Sequence, residues 1–433
     1  MLQLLLIAAR NLLQHRRRTL FLGGALTFTT WVLVMMVGLT NGIRTTILET
    51  ATILMSGHIN VGGFYKVTAG SAAPVVVNAE EVAAKVKARV PEVVEVTLRG
   101  RGWAKLVSET SSVQVGVGGM DITSEPRFRQ VVKVLDGSLD ELAKPNTLLV
   151  FKEQADKLGV KAGDLVTISA PTLRGVNNTV DVRVAAVAQN LGLLSSFNVY
   201  VPSQTLRGLY QLNEHAAGVV QLYIKDLKRV REVEAQVRTA LEAEGYPLLE
   251  ADPRAFWFKF DKVSREAWTG QKLDVTTWED ELSFLDWMLT GLKVLSVVLI
   301  GLLLVVVSVG LMNTLWIAIR ERTREIGTLR AIGMQRRRVM VMFLLEALVL
   351  SISGVVAGTA LALLTQVGLN AAHLHVPLAA QFMLMRDTLT FTADPEAILR
   401  GVGIIVAATM LVSLFPSFRA ARLQPVTAMH HIG

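Results

Sequence analysis

No cysteine occurs among the 433 residues, which excludes disulfides, thiolate metal sites and a cysteine nucleophile at once. Charge is scarce as well. Charged residues make up 18% of the chain against roughly 25% in an ordinary soluble domain, and the mean hydropathy is +0.43. That balance points away from a disordered or fibrous chain and toward a membrane protein. No Gly-Lys dipeptide is present, so a P-loop, whose lysine neutralises phosphate, is excluded. Neither H-E-x-x-H nor a G-x-S-x-G elbow occurs, which removes two further catalytic classes. His373 and His375 can share one face of a strand, and His430 and His431 are adjacent. Without further ligands at a suitable spacing, all four read as solvated loop histidines, and no metal site is expected.

What the chain has instead is four long apolar runs. No charged residue lies between Arg18 and Arg44, or between Lys293 and Arg320. Both stretches exceed the ~20 helical residues that cross a hydrocarbon core of about 30 Å. A third run follows Arg338 to about Asn370, interrupted by Glu346, and a fourth covers Gly401 to Phe418 with Pro416 near its exit. The first is too long for a signal h-region, and no A-x-A-like cleavage site follows it, so it reads as an uncleaved span. Met1 to Gln14 reads as an apolar helix along the membrane surface.

Lys and Arg are distributed unevenly around these runs. The N-terminus, the 320–338 loop and the C-terminus together hold thirteen arginines against Glu321 and Glu325. Residues 44–286 hold 28 basic and 30 acidic side chains, leaving no basic surplus for nucleic acid. The formal charge of +8 therefore records orientation, and the positive-inside rule puts both termini and the 320–338 loop in the cytoplasm. The expected fold class is an α-helical membrane protein with four transmembrane helices and a large α+β extracytoplasmic, periplasmic domain between helices 1 and 2. The expected divisions are a cytoplasmic or interfacial helix 1–18, a span 19–43, the outer domain with helical stalks 44–286, a span 287–319, a cytoplasmic segment 320–338, a span 339–372, an outer loop 373–400, a span 401–418 and a cytoplasmic tail 419–433.

Within the outer domain, Ala79 to Val90 has a helical pattern with Asn78 as its N-cap. Val93–Val107, Ser111–Val117, Thr147–Phe151, Leu165–Ser169, Asp181–Ala188 and Val219–Ile224 read as strands, and Gly118-Gly119 as a turn. Glu153–Leu158, Ser203–Leu212 and Lys228–Glu244 read as helices. Gly42–Ser56 and Phe256–Leu292 read as the stalks. Trp287 suits a headgroup anchor, whereas Trp257, Trp268 and Trp278 pack either within a stalk or in an ordinary core.

The segment RERTREIGTLRAIG, Arg320 to Gly333, is a charged helix closed by a glycine turn. Glu321 and Arg324, and Arg322 and Glu325, are spaced to pair on its surface. Ile326, Leu329 and Ile332 form an apolar strip that can dock in a partner's groove or lie on the membrane. Glu346, about 12 Å into the bilayer by helical rise, is expected to pair with a cytoplasmic-side arginine or another helix. Gly354 and Gly358 form G-x-x-x-G, a close-approach motif.

Arg320–Gly333 resembles the cytoplasmic coupling region of the MacB/FtsX superfamily of ABC-transporter permeases. The resemblance extends to AARNLLQHRRRT near the N-terminus, FLLEALVLSISGVVAG opening the third run, PSFRAARLQPVTAM near the C-terminus and ADKLGVKAGDLVTI in the outer domain. It implies a non-catalytic permease subunit that pairs with a second permease, the same or homologous, and with a separate ATPase dimer that binds ATP and Mg. No cofactor is expected on this chain. Carried over, Glu321, Arg324, Glu325, Gly327, Arg330 and Gly333 would contact the ATPase. Motion would pass to the outer domains in a bacterial inner membrane. The resemblance is strongest to permeases that release lipoproteins to a periplasmic carrier, where a hook loop on one permease captures the carrier. Here the corresponding residues are Pro171, Thr172, Leu173 and Arg174, in a loop short for that role. Export of peptides, antibiotics or lipids with a periplasmic adaptor, and regulation of cell-wall hydrolases, are the alternatives.

Overall fold

A computed structural model describes residues 10, 14, 16–68, 72–377, 381 and 388–422. Most of the surface helix expected over Met1–Gln14, and the segment holding His430 and His431, lie outside the described residues. In chain order the helices are α1 (Arg16–Ala51), α2 (Ala79–Arg89), α3 (Pro126–Val131), α4 (Lys152–Leu158), α5 (Gly192–Phe197), α6 (Ser203–Tyr210), α7 (Val230–Ala243), α8 (Phe256–Arg265), α9 (Trp278–Glu281), α10 (Asp286–Glu321), α11 (Thr323–Ala331), α12 (Arg336–Ala371) and α13 (Pro395–Ala421). The strands are β1 (Ile59–Lys66), β2 (Ala72–Ala73), β3 (Val93–Val107), β4 (Ser112–Met120), β5 (Val134–Gly137), β6 (Thr147–Phe151), β7 (Leu165–Pro171), β8 (Asn177–Ala188), β9 (Asn198–Pro202), β10 (Val219–Ile224) and β11 (Gly270–Thr277). The chain forms two compact units. One comprises Met1–Thr45, Met288–Leu374 and Leu389–Gly433, and the other Thr46–Trp287 and His375–Thr388.

The second unit is α+β. Its sheet runs β11-β1-β10-β3-β4-β9-β6-β8-β5, with β7 paired to β3 and β8. The long strand β3 belongs to both halves: Val93–Arg99 pairs with β10, and Gly100–Val107 pairs with β4. Strand β10, Val-Val-Gln-Leu-Tyr-Ile, is buried at every position, as expected of a central strand covered on both faces. One core gathers Leu106, Val117, Leu148, Val150, Ile168 and Val184. Helix α2 turns Val82 and Val86 inward at i,i+4 spacing and carries Glu80 and Glu81 in its first turn, where the helix dipole favours them.

Three expectations are corrected. Gly118-Gly119 is not a turn: both lie inside β4, opposite Arg101 and Gly100 of β3. They stay flat because Tyr200 and Leu206 lie where side chains would project. Asn78 does not cap α2; its amide donates to Glu81 and Tyr246 instead. Phe256–Leu292 is not one helical stalk. It breaks after α8 into the edge strand β11, paired with β1 from Ile59↔Thr277 to Lys66↔Gly270. Trp278 is buried, Trp268 stacks under Lys66 and Lys272, and Trp287 is exposed.

Among the described residues, four helices are long and apolar enough to cross a membrane: Thr19–Ser56, Thr290–Glu321, Arg336–Ala371 and Pro395–Ala421. Helix α12 buries a stripe of small residues, Ala347, Ser351, Gly354, Gly358 and Ala362, and α1 lies in the resulting groove. A Cβ on Gly354 would stand 2.7 Å from the Leu26 Cβ, and one on Gly358 2.7 Å from the Thr30 Cβ. Polar contacts fix the pair: Gln366 Nε2 donates to the Val34 carbonyl at 2.9 Å and Trp31 Nε1 to Thr365 Oγ1 at 3.2 Å. Asp394 caps α13 by accepting from the amides of Glu396 and Ala397. Along α10, Val297, Val298, Leu302, Val305, Val306 and Val309 remain more than half exposed.

Candidate functional site

In the first unit, α11 is a short helix set between α10 and α12. Arg322, between α10 and α11, leaves helical geometry at φ −102°, so the pairing expected with Glu325 does not form. Its guanidinium instead donates to Glu346 Oε1 at 2.9 Å, with both side chains buried. Glu346 thus meets an arginine of this segment. Ile326 joins a buried cluster with Ile319, Val339, Met342 and Phe343, so it cannot belong to an exposed docking strip, while Ile332 is 80% exposed. Gly327 is buried, and Glu321, Arg324 and Glu325 are exposed. Arg330 donates to the Ala421 carbonyl at 2.8 Å. Gly333, at φ +103°, occupies the left-handed region that a glycine adopts without penalty and turns the chain into α12.

In the second unit, the chain leaving α1 passes through a π-helical turn, Thr52–Ser56. The carbonyls at a helix end lack intrahelical donors, and the sheet supplies them. Arg99 donates to the Ile53 and Leu54 carbonyls at 2.9 and 2.7 Å. Tyr200 donates to Leu54 at 2.9 Å, Tyr223 to Thr52 at 3.2 Å, and Gln221 to Met55 at 2.8 Å. Burial opposes the charge of Arg99, but Glu125, bound to the same guanidinium, outweighs burial and raises its pKa. Burial pushes the Tyr200 phenol up to about 12, so it remains a donor.

One wall of a cavity of about 450 Å³ is this turn, through Leu54 and Met55. Gly100, Gly102, Gly116 and Gly118 are also among its lining residues. Trp103, Phe197, Trp257, Phe258 and Phe284 supply aromatic surface, and Arg99 and Arg101 are the charged residues that line it. A second hollow of about 240 Å³ shares Arg101, Gly102 and Trp103 and adds Pro171, Thr172 and Leu173. Those three belong to the residues expected to meet a carrier. With Arg174 they form the tight β7–β8 hairpin, closed by Thr172 N–H to the Val176 carbonyl at 2.8 Å. Sequence reasoning missed the cavity, because its residues come from seven separate strands, helices and turns. The nearest signal was Gly-x-Gly in two apolar strands, Gly100–Gly102 and Gly116–Gly118.

The chain matches the family model for the FtsX-like permease C-terminal domain over residues 297–425. It matches the MacB-like periplasmic core domain over residues 24–240. It is 31% identical over 158 residues to the macrolide export ATP-binding/permease protein MacB of Syntrophobacter fumaroxidans, which is 36% of this chain and 20% of that protein. It is 36% identical over 126 residues to the pyoverdine export ATP-binding/permease protein PvdT of Pseudomonas entomophila, covering 29% and 17% respectively. The alignments thus span about a fifth of these relatives' length. Similar solved structures include the extracellular domain of the noncanonic ABC-type transporter YknZ from Gram-positive bacteria, at 13% identity and TM-score 0.31, covering 49% of this chain and 98% of that one. The periplasmic region of MacB from Actinobacillus actinomycetemcomitans is similar at 16% identity and TM-score 0.31, covering 47% and 89%.

Proposed function

Because the chain belongs to the MacB/FtsX superfamily of ABC-transporter permeases, we propose that it couples an ATPase to motion of its α+β unit. The four long helices span a bacterial inner membrane, with the α11 segment cytoplasmic and the α+β unit periplasmic. The 433 residues contain no P-loop, so ATP and Mg are bound by an ATPase dimer outside them, and this chain acts as the non-catalytic permease. A second permease subunit, the same or homologous, covers the exposed aliphatic face of α10.

The observation that carries this reading is the seating of α11. Ile326 and Gly327 are buried and Arg322 is tied to Glu346, while Glu321, Arg324 and Glu325 point outward. A push on the charged face therefore reaches α12 through a buried ion pair and a packed cluster, with little slack. Motion of α1 reaches the sheet through the four side chains holding Thr52–Met55.

The cargo we propose is an amphiphile. Release of lipoproteins remains one reading. Export of a small amphiphile with a periplasmic adaptor is favoured by the names of the two relatives, which are export proteins. It is favoured also by the tight 172–176 hairpin, which offers no projecting arm to a carrier. Charge reversal at both Glu321 and Glu325 should abolish copurification of the ATPase from native membranes while the permease still inserts. Normal assembly and ATP-dependent transport by the double variant would remove the coupling assignment. Mass spectrometry of the native complex separates the cargo readings: a bound acylated protein supports release, an adaptor and a small molecule support export.

A further inference from the structure

The cavity between the Thr52–Ser56 turn, the glycines of β3 and β4 and the aromatic side of α8 has the size and make-up of a ligand pocket. Such pockets run from about 300 to 1,000 Å³ and combine apolar walls with a few placed polar groups. At about 450 Å³, this one is lined by two arginines and no carboxylate. The adjoining hollow repeats the asymmetry with one arginine and no acid.

The two arginines are not equivalent. Arg99 is held by Glu125 and by backbone carbonyls. Among the described residues, Arg101 meets Glu281 at 3.7 Å, a long contact for a buried pair, and Asn60 Oδ1 at 3.3 Å. Its face lies over Phe256, 4.4 Å from the ring centroid. Burial lowers its pKa, and Glu281 and Asp274 only partly offset that, so the charge is incompletely compensated. A second sign comes from the adjoining hollow. Thr172, 6% exposed, is among its lining residues, and among the described residues its buried hydroxyl has no hydrogen-bond partner; a buried polar atom without a partner costs free energy.

We propose that this cavity binds a small anionic amphiphile, its apolar body among Trp103, Trp257 and Phe258 and its anionic group facing Arg101. Flat aromatic side chains over a glycine floor suit a ring or chain without a snug polar shape. A guanidinium in an apolar setting makes strong, charge-assisted bonds to carboxylate or sulfonate. Because Leu54 and Met55 form one wall and α8 contributes aromatic side chains, an occupant touches both the turn that ends α1 and the residues that precede α10. Its role as cargo or effector rests on the permease reading; its binding does not.

The test uses the full chain in lipid nanodiscs, without ATPase, and subtracts empty discs. The probes are 1-anilinonaphthalene-8-sulfonate and its neutral counterpart N-phenyl-1-naphthylamine, read by energy transfer from tryptophan. The sulfonate should bind saturably and about ten-fold or more tighter than the neutral probe. Arg101→Gln should bring the two within about two-fold. Phe258→Glu, at a site 49% exposed and so tolerant of polarity, should weaken the sulfonate about ten-fold and the neutral probe far less. No saturable signal, equal affinity of wild type for both probes, or unchanged sulfonate binding in Phe258→Glu would overturn the site. Such failure leaves ATPase coupling untouched, and loss of coupling in the Glu321/Glu325 variant leaves probe binding intact.

Discussion

Two sites make unlike demands on their surroundings. Arg322 and Glu346, 6% and 3% exposed, were each costly to desolvate, and their attraction offsets that cost only while both are present. Glu346→Met or Arg322→Met alone should therefore lower unfolding free energy by about 3–5 kcal/mol, whereas the double Met replacement should cost less than either single change. Thermal unfolding of the four proteins in nanodiscs measures this cycle, and simple additivity would show that the pair is not coupled. His58 has the opposite problem, since its ring is half-buried, with Nδ1 3.1 Å from both the amide and the carbonyl of Ile224. Burial, partly opposed by the Ile224 carbonyl, which accepts from a protonated Nδ1, and reinforced by Arg127, pushes its pKa down to about 4 from 6.5. The folded value lies below the unfolded one, so the neutral ring contributes fully above about pH 6.5, and that contribution disappears as pH falls toward 4. The loss amounts to about 3 kcal/mol. The protection factors of amides along β1 and β10, corrected for the intrinsic pH dependence of exchange, should fall over that interval, and His58→Asn should flatten the dependence. An unchanged profile in the variant would assign acid sensitivity elsewhere.

Among the helices, the same chemical change should have opposite signs at two glycines. Gly403 of α13 has nothing within 4 Å of where a Cβ would stand, while at Gly358 of α12 the Thr30 Cβ would be 2.7 Å away. Alanine in an open helical site gains about 1 kcal/mol over glycine; in a closed one, overpacking costs about 1–3 kcal/mol. Gly403→Ala should raise the Tm and Gly358→Ala lower it, and a rise in both would mean that α1 does not lie tightly in the α12 groove. This groove was legible in the sequence as G-x-x-x-G, though not which helix fills it. The central strands were legible for a similar reason: Val93–Val107, Thr147–Phe151 and Val219–Ile224 carry their burial in local apolar patterns. Strand β11 was not, because Gly-Gln-Lys-Leu-Asp-Val-Thr-Thr is half polar and the strand it pairs with, β1, lies far along the chain. Asp274 accepts from Lys259 of α8 at 2.8 Å. The cavity was illegible on the same grounds: Gly100, Gly116 and Phe258 have meaning only once β3, β4 and α8 stand together.

Across the whole molecule, the proposed orientation rests on charge, and the lack of cysteine makes it measurable. Thirteen arginines beside two acids flank the long apolar runs on the side of the 320–338 segment, whereas residues 44–286 hold two more acids than bases. Translocating such an arginine-rich side is disfavoured, and the bias is counted over short segments near the spans. On the proposed reading, the α+β unit, nearly neutral and lacking such clusters, is the part that crosses. With no native thiol to compete, a single introduced cysteine reports its own side. Lys144→Cys, on the exposed surface of the α+β unit, should react with a membrane-impermeant maleimide in intact spheroplasts. Arg337→Cys, exposed at the start of α12, should react only after permeabilisation. The two substitutions touch no buried group, so a failure to label reflects sidedness, provided denatured protein labels fully. Labelling of Arg337→Cys from outside would invert the topology, and with it place the α11 segment out of reach of any cytoplasmic ATPase.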